Sequence, residues 1–149
     1  MCGICGSLGP ADWQPREVAQ SIVKVMCAAI AHRGNDGHGI YQDPSKGITL
    51  GHQRLSIIDV EGGAQPLNDS NNKAWIVFNG EIYNFKALRA ELRQLGFQFK
   101  TRSDTEVVLQ AYLAWGESCV EKLQGMFAFA IWDSRDNSLF CARDRLGMK

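Results

Sequence analysis

Residues 74–84 read Ala74-Trp75-Ile76-Val77-Phe78-Asn79-Gly80-Glu81-Ile82-Tyr83-Asn84, and the fold turns on how Asn79-Gly80 is taken. The apolar, β-branched and aromatic run Ala74 to Phe78 predicts a strand. Asn-Gly is the strongest short signal for a two-residue hairpin turn, so one reading interrupts the strand there. The other reading is chemical. The Asn79 side-chain amide and the Gly80 backbone N–H converge as an oxyanion hole, and the glycine lets substrate approach the main chain. Without a nucleophile elsewhere in the chain, the turn is favoured.

Downstream, Leu88, Leu92 and Leu95 share one face of a helix predicted over Phe85 to Leu95, with Gly96 as its stop signal. Phe97 to Thr101 alternates like a strand. A further helix runs from about Thr105 to Trp115, and Ser118 with Glu121 has the spacing of a capping box for a short one. Met126 to Trp132 and Ser138 to Ala142 read as a hairpin. Upstream, Glu61 to Asn72 has the composition of a polar surface loop. Two or three strands are expected between Gly39 and Asp59. Val18, Ile22, Val25, Met26, Ala29 and Ile30 recur at helical spacing within Arg16 to His32, and Gly3 to Leu8 suits a buried strand. Helices and strands come in segregated groups, which predicts α+β with helices covering packed sheets.

The chain has 149 residues, 45% hydrophobic and 21% charged, enough for one core and one domain over 1–149. Sixteen basic side chains balance sixteen acidic ones, so there is no electrostatic footprint for nucleic acid or an anionic membrane. No apolar run reaches bilayer-spanning length and no secretory signal opens the chain, so a cytoplasmic location is expected. Five cysteines scattered through a well-cored chain do not resemble a disulfide framework.

Position 2 is the nucleophile candidate. Initiator methionine is removed before a small residue, which would leave Cys2 with a thiol and a free α-amine. With a pKa of about 8, such an amine can act as base towards the thiol. The competing readings are a small residue that starts a strand, and a Cys2/Cys5 pair serving as a redox dithiol or half a zinc site. Nothing precedes Cys2 to build a thioredoxin-like turn, and His32 is too far from Cys5 for finger spacing. His32, His38 and His52 read as ordinary loop or core histidines, and no metal site is expected. Arg54 lies in the largely apolar run Leu50 to Ile58, so it is snorkelling, salt-bridged or gripping a carboxylate bidentately. Asp104 either caps a helix, within the Ser103 to Glu106 box, or pairs with an ammonium group.

Six segments carry a resemblance: Cys2-Gly3-Ile4, His32 to Gly37, Arg54 to Asp59, Asn79 to Asn84, Ser103 to Glu106 and Gly125 to Phe129. Together they resemble class II glutamine amidotransferases, within which the ending Arg143-Asp144-Arg145-Leu146-Gly147 is similar to the asparagine synthetase branch. The resemblance implies the N-terminal-nucleophile hydrolase fold, a four-layer αββα sandwich of two antiparallel sheets. It implies Cys2 as nucleophile and Asn79 with Gly80 as oxyanion hole. Arg54 would bind the α-carboxylate of L-glutamine, Asp104 and Glu81 its α-ammonium end, and Leu55, Ser56, Ile57 and Ile58 would line the pocket. Arg33 and Gly34 would form a supporting loop. Asn35 departs from the proline usual in that branch. The glutaminase half-reaction would need no cofactor. ATP and magnesium would belong to a C-terminal synthetase domain whose Ser-Gly-Gly loop this chain does not contain, so an incomplete C-terminus is expected. The implied partners are glutamine, that domain and a second copy in a homodimer. Rival expectations are a relative with a different ammonia acceptor, a non-catalytic scaffold, and a small zinc or redox module on Cys2 and Cys5.

Overall fold

The computed structural model describes residues 2–10, 15–55 and 62–149. Strands β1 (Gly3–Leu8), β2 (Gly37–Asp43) and β3 (Ile48–Arg54) form an antiparallel sheet in the order β1-β3-β2. Strands β4 (Leu67–Asn68), β5 (Ala74–Ile82), β6 (Gly125–Asp133) and β7 (Ser138–Arg143) form a second antiparallel sheet in that sequence order. Helix α1 (Arg16–Ala29) covers the first sheet. Helices α2 (Phe85–Gln94) and α3 (Asp104–Trp115) cover the second, with the short α4 (Cys119–Lys122) leading into β6. The expected α+β, four-layer αββα arrangement is the one observed.

Strand periodicity sorts the layers. Along β5, Ala74, Ile76, Phe78 and Ile82 pack among Leu88, Leu92 and the buried side chains of α3. The alternate residue Val77 meets Ile48, Leu50 and Trp132 between the sheets, where Tyr41 stacks on Trp75 with ring centroids 4.0 Å apart. On the outer face of β3, a side chain at Gly51 would come within 2.8 Å of Cys27, Val23 and Cys5. Its absence lets α1 approach the sheet closely.

That close approach sets which stripe of α1 is buried. Ala19, Val23 and Cys27 face the sheet, whereas Val18 and Val25, members of the apolar set read from the sequence, are 45% and 69% exposed. The helix ends earlier than its apolar pattern. The Ile30 N–H is shared between the Met26 and Cys27 carbonyls, and a 3-10 turn follows at Ala31–Arg33.

Four sequence expectations are corrected. Asn79-Gly80 makes no turn, because β5 runs through both residues and pairs with β6 along its whole length. Phe97 to Thr101 forms no strand. The Lys100 and Thr101 N–H groups are taken by the Glu106 carboxylate, and Arg89 donates to the Thr101 and Ser103 carbonyls, so side chains replace a ladder partner. Ser118 does not cap α4, since its own backbone is already helical. The 62–72 segment is not simply a surface loop. Asp69 is buried and holds the N–H groups of Asn71, Lys73 and Ala74.

No helix among the described residues is long and apolar enough to cross a membrane.

Candidate active site

The inner faces of the two sheets change character towards one end. On β3 the inward positions run Ile48, Leu50, His52, Arg54, and on β5 Trp75 and Val77 are followed by Asn79 and Glu81. Antiparallel pairing of β1 with β3 sets Gly3 opposite Gln53, so Cys2 emerges beside Arg54 and Leu55. One pocket at this end is lined by Cys2, Arg54, Leu55, Asn79, Gly80, Glu81 and Asp104. Ser56, Ile57 and Ile58 lie outside the described residues.

Around the thiol, the Leu55 N–H donates to Cys2 Sγ at 3.4 Å, and the Leu55 carbonyl lies 3.6 Å from the same sulfur. Arg33 Nε donates to the Cys2 carbonyl at 3.4 Å. A side chain on Gly34 would strike the Arg54–Leu55 peptide at 2.4 Å, and the Asp36 N–H donates to the Arg54 carbonyl at 3.0 Å. The Arg33–Gly34 loop thus supports the peptide that cradles the sulfur.

The open edge of β5 provides the second half of the site. Partner β4 pairs only with Trp75 and Ile76 and then stops. Beyond it, the N–H groups of Phe78, Gly80 and Ile82 share the edge pointing away from β6, since main-chain direction alternates along a strand. Gln65 Oε1 accepts the Phe78 N–H at 2.6 Å, and Asp104 Oδ2 accepts the Ile82 N–H at 3.0 Å. Across the sheet, Phe127, the register partner of Gly80, sends its N–H and carbonyl to Asp144 instead of β5. The Gly80 N–H therefore faces the pocket from an edge whose two neighbouring donors are satisfied. The Asn79 side chain, on a residue 8% exposed, makes no hydrogen bond to the described residues. Asn79 and Gly80 thus line the same pocket as Cys2.

Gly80 is required for a reason the sequence reading did not contain. A Cβ there would lie 2.2 Å from the Met126 carbonyl and 2.7 Å from Phe127 Cα, so the partner strand alone demands glycine.

Ser103 caps α3, accepting the Glu106 N–H at 3.3 Å, which releases Asp104 from that task. Asp104 is 4% exposed and accepts from the Thr105 and Ile82 N–H groups. Burial, with a smaller contribution from the Glu81 charge, raises its pKa above the ordinary 3.8 against the lowering effect of those N–H groups. A buried, destabilised carboxylate in a pocket is suited to pair with a cation.

Sequence reasoning missed Gln65, Thr105, Met126 and Lys149, which also line this pocket. Lys149 is held there by Asp144, whose carboxylate accepts the N–H groups of Phe127, Leu146, Met148 and Lys149 and is thereby kept below the usual carboxylate range. Cys5 lies apart from the pocket, its sulfur 3.4 Å from that of Cys27, with burial pushing its pKa up to about 12. No group of His, Cys, Asp or Glu side chains among the described residues is arranged to hold a metal ion.

Comparison with known proteins adds three findings. The family described as "Glutamine amidotransferase domain" matches residues 1–149. Asparagine synthetase [glutamine-hydrolyzing] 1 of Bacillus subtilis is 45% identical over 149 residues, covering 100% of this chain and 23% of that protein. Asparagine synthetase [glutamine-hydrolyzing] 2 of Oryza sativa subsp. japonica is 41% identical, with 99% and 24% covered. The chain spans about a quarter of the length of these relatives. Among solved structures, the glutamine phosphoribosylpyrophosphate amidotransferase from B. subtilis complexed with ADP and GMP superimposes with a TM-score of 0.76 at 23% identity, covering 98% of this chain and 38% of that one. At that identity the likeness shows the fold.

Proposed function

This chain belongs to the glutamine amidotransferase domain family, and from that premise we propose that it hydrolyses glutamine to glutamate and ammonia through a Cys2 thioester. The observation that carries the reading is the Gly80 N–H left open on the β5 edge, beside the uncommitted Asn79 amide, in the pocket that Cys2 lines.

Removal of Met1 frees the Cys2 α-amine to take the thiol proton. The sulfur attacks the side-chain carbonyl of glutamine, and the oxyanion is held by the Asn79 amide and the Gly80 N–H. Collapse expels the amide nitrogen, which leaves as ammonia with the proton carried by the α-amine. Water, deprotonated by the same amine, then cleaves the γ-glutamyl thioester and restores the thiol. Arg54 takes the α-carboxylate, Asp104 with Glu81 takes the α-ammonium, and the Leu55 backbone borders the reacting centre. Ser56, Ile57 and Ile58 would extend that border. These steps use the α-amine, backbone and side chains of this chain and water.

The relatives' names support a further reading, in which the ammonia amidates aspartate in a synthetase domain beyond residues 1–149; that ATP and magnesium serve that domain rests on the family resemblance. A cytoplasmic location and a homodimer belong to the same reading and rest on the family resemblance.

The test is release of ammonia and glutamate from glutamine by the purified protein beside Cys2→Ala, with intact mass recorded to confirm loss of Met1. Turnover in the wild type that disappears in the variant is expected. Equal turnover in both would remove Cys2 from the mechanism.

A further inference from the structure

The proposed reaction uses Asn79 and Gly80 but leaves open what fixes the main chain that carries them. The residue immediately before them, Phe78, has both its N–H and its carbonyl on the open edge of β5, past the point where β4 ends. Two side chains from different parts of the fold take the place of the missing strand. Gln65 Oε1 accepts the Phe78 N–H at 2.6 Å, and its Nε2 donates to Thr105 Oγ1 at 3.2 Å, beside Asp104. From the other sheet, His52 Nε2 lies 3.2 Å from the Phe78 carbonyl.

His52 is fully buried, and that burial lowers its pKa to about 4, so the ring is neutral near pH 7 and carries one N–H. The carbonyl can only accept, so the proton sits on Nε2 and His52 is the donor. Its Nδ1 has no partner among the described residues, which leaves the Phe78 contact as the polar anchor of the ring. Room for the Gln65 main chain comes from Gly39, where a Cβ would lie 2.1 Å from the Gln65 carbonyl.

We propose that Gln65 and His52 are positioning residues for the oxyanion hole, gripping the Phe78 peptide groups from the loop before β4 and from the facing sheet so that the Asn79 amide and the Gly80 N–H keep their aim. The inference rests on the oxyanion-hole reading of Asn79 and Gly80. Gln65 bridges further: through Thr105 it ties that strand to the first turn of α3, so donors for the oxyanion and the carboxylate for the substrate's ammonium move as one unit. A hole fixed in this manner acts on the transition state, where the oxyanion forms, more than on bound glutamine.

The experiment measures kcat and KM for glutamine in Gln65→Leu, His52→Leu and His52→Gln beside Asn79→Ala and the Asn79→Ala/Gln65→Leu double variant. Alkylation of Cys2 by iodoacetamide is timed in each. Displacement on iodoacetamide forms no oxyanion, so it reports the thiol without the hole. Both leucine variants are expected to lose about 10- to 100-fold in kcat, as for a displaced catalytic donor, with KM nearly unchanged. Their alkylation rates should match the wild type. His52→Gln keeps an N–H within reach and should recover most of the loss. The double variant should be hardly slower than Asn79→Ala, because both changes disable one device. If Asn79→Ala is impaired while Gln65→Leu and His52→Leu are not, the positioning role is wrong and the hole stands. If Asn79→Ala itself keeps wild-type turnover, the hole and the clamp fall together. Should His52→Leu fail to fold, a folded His52→Gln as slow as Asn79→Ala overturns the His52 assignment; should Gln65→Leu fail, a folded Gln65→Met, of similar shape but without the acceptor, that keeps wild-type kcat overturns that of Gln65.

Discussion

The inner faces of β3 and β5 obey one geometric rule at both ends and yield opposite chemistry. At one end Ile48, Leu50, Val77 and Trp132 close a dry layer between the sheets. At the other, the same alternation delivers His52, Arg54, Asn79 and Glu81. Periodicity therefore fixes where a side chain points, and composition decides whether that place is core or site. A polar residue on an inward strand position is expensive to bury unless something compensates. The polar end here compensates by opening into a pocket and by satisfying its main-chain edge with Gln65 and Asp104.

The sharpest way to break this comparison is to exchange damage between the ends. Asn79→Ala should reduce kcat for glutamine by about 100- to 1,000-fold, the usual loss for one oxyanion donor, with little change in KM or thermal midpoint. Unaltered kcat would place Asn79 with the core. Leu50→Ala, two positions from His52 on the same strand face, should do the reverse. It removes a side chain that is 2% exposed and should lower unfolding free energy by roughly 3 kcal/mol, read by denaturant midpoint, while the folded fraction keeps wild-type kcat. A Leu50→Ala protein that is stable but slow would show that the ends are not separable.

Much of this was legible beforehand, and the exceptions have physical causes. Helical spacing located α2 and α3, and apolar runs bounded by turn-formers located β1, β5 and the β6–β7 hairpin, although α3 and β5 prove buried on more than one face. Asn79-Gly80 defeated the local reading, since a hairpin signal and an oxyanion signal are the same two residues and only pairing with β6 separates them. On α1 the apolar pattern pointed to Val18, Ile22 and Val25, but Gly51 on the facing strand selected the stripe of Ala19, Val23 and Cys27. Gln65 left no trace at all. A loop side chain that substitutes for a strand edge has no periodicity, and its partners are distant in sequence.

His52, at the boundary between the two ends, sharpens the comparison through pH. Its pKa is near 6.5 when unfolded and about 4 in the fold, depressed first by burial and then by the Arg54 charge, with the Phe78 hydrogen bond opposing. Between those values the unfolded chain binds a proton that the folded one refuses. Stability therefore falls as pH drops from 6.5 towards 4 and levels off below, by roughly 3 kcal/mol in total for this group. His52→Gln should flatten that part of the curve. The readout is the difference in denaturant midpoint between variant and wild type across the window, and parallel curves would show that His52 is not the titrating group.

The smallest expected effect concerns Asp104, and it runs in the opposite direction. A carboxyl whose folded pKa is raised contributes most to stability when protonated, and that contribution is lost as pH climbs through the raised value. At neutral pH the pocket thus holds a carboxylate that burial and Glu81 disfavour, and a substrate ammonium offsets both. Lowering the pH protonates Asp104 sooner than an ordinary aspartate and removes the charge that pairs with glutamine. KM for glutamine should rise as pH falls, starting above the 3.8 of an unperturbed aspartate, while the alkylation of Cys2 by iodoacetamide shows no matching inflection. In Asp104→Asn, KM should be high and flat over the same range. A wild-type KM that stays level down to pH 3.8 would mean that the ammonium is held by Glu81 instead, and the polar end would lose its one cation partner on α3.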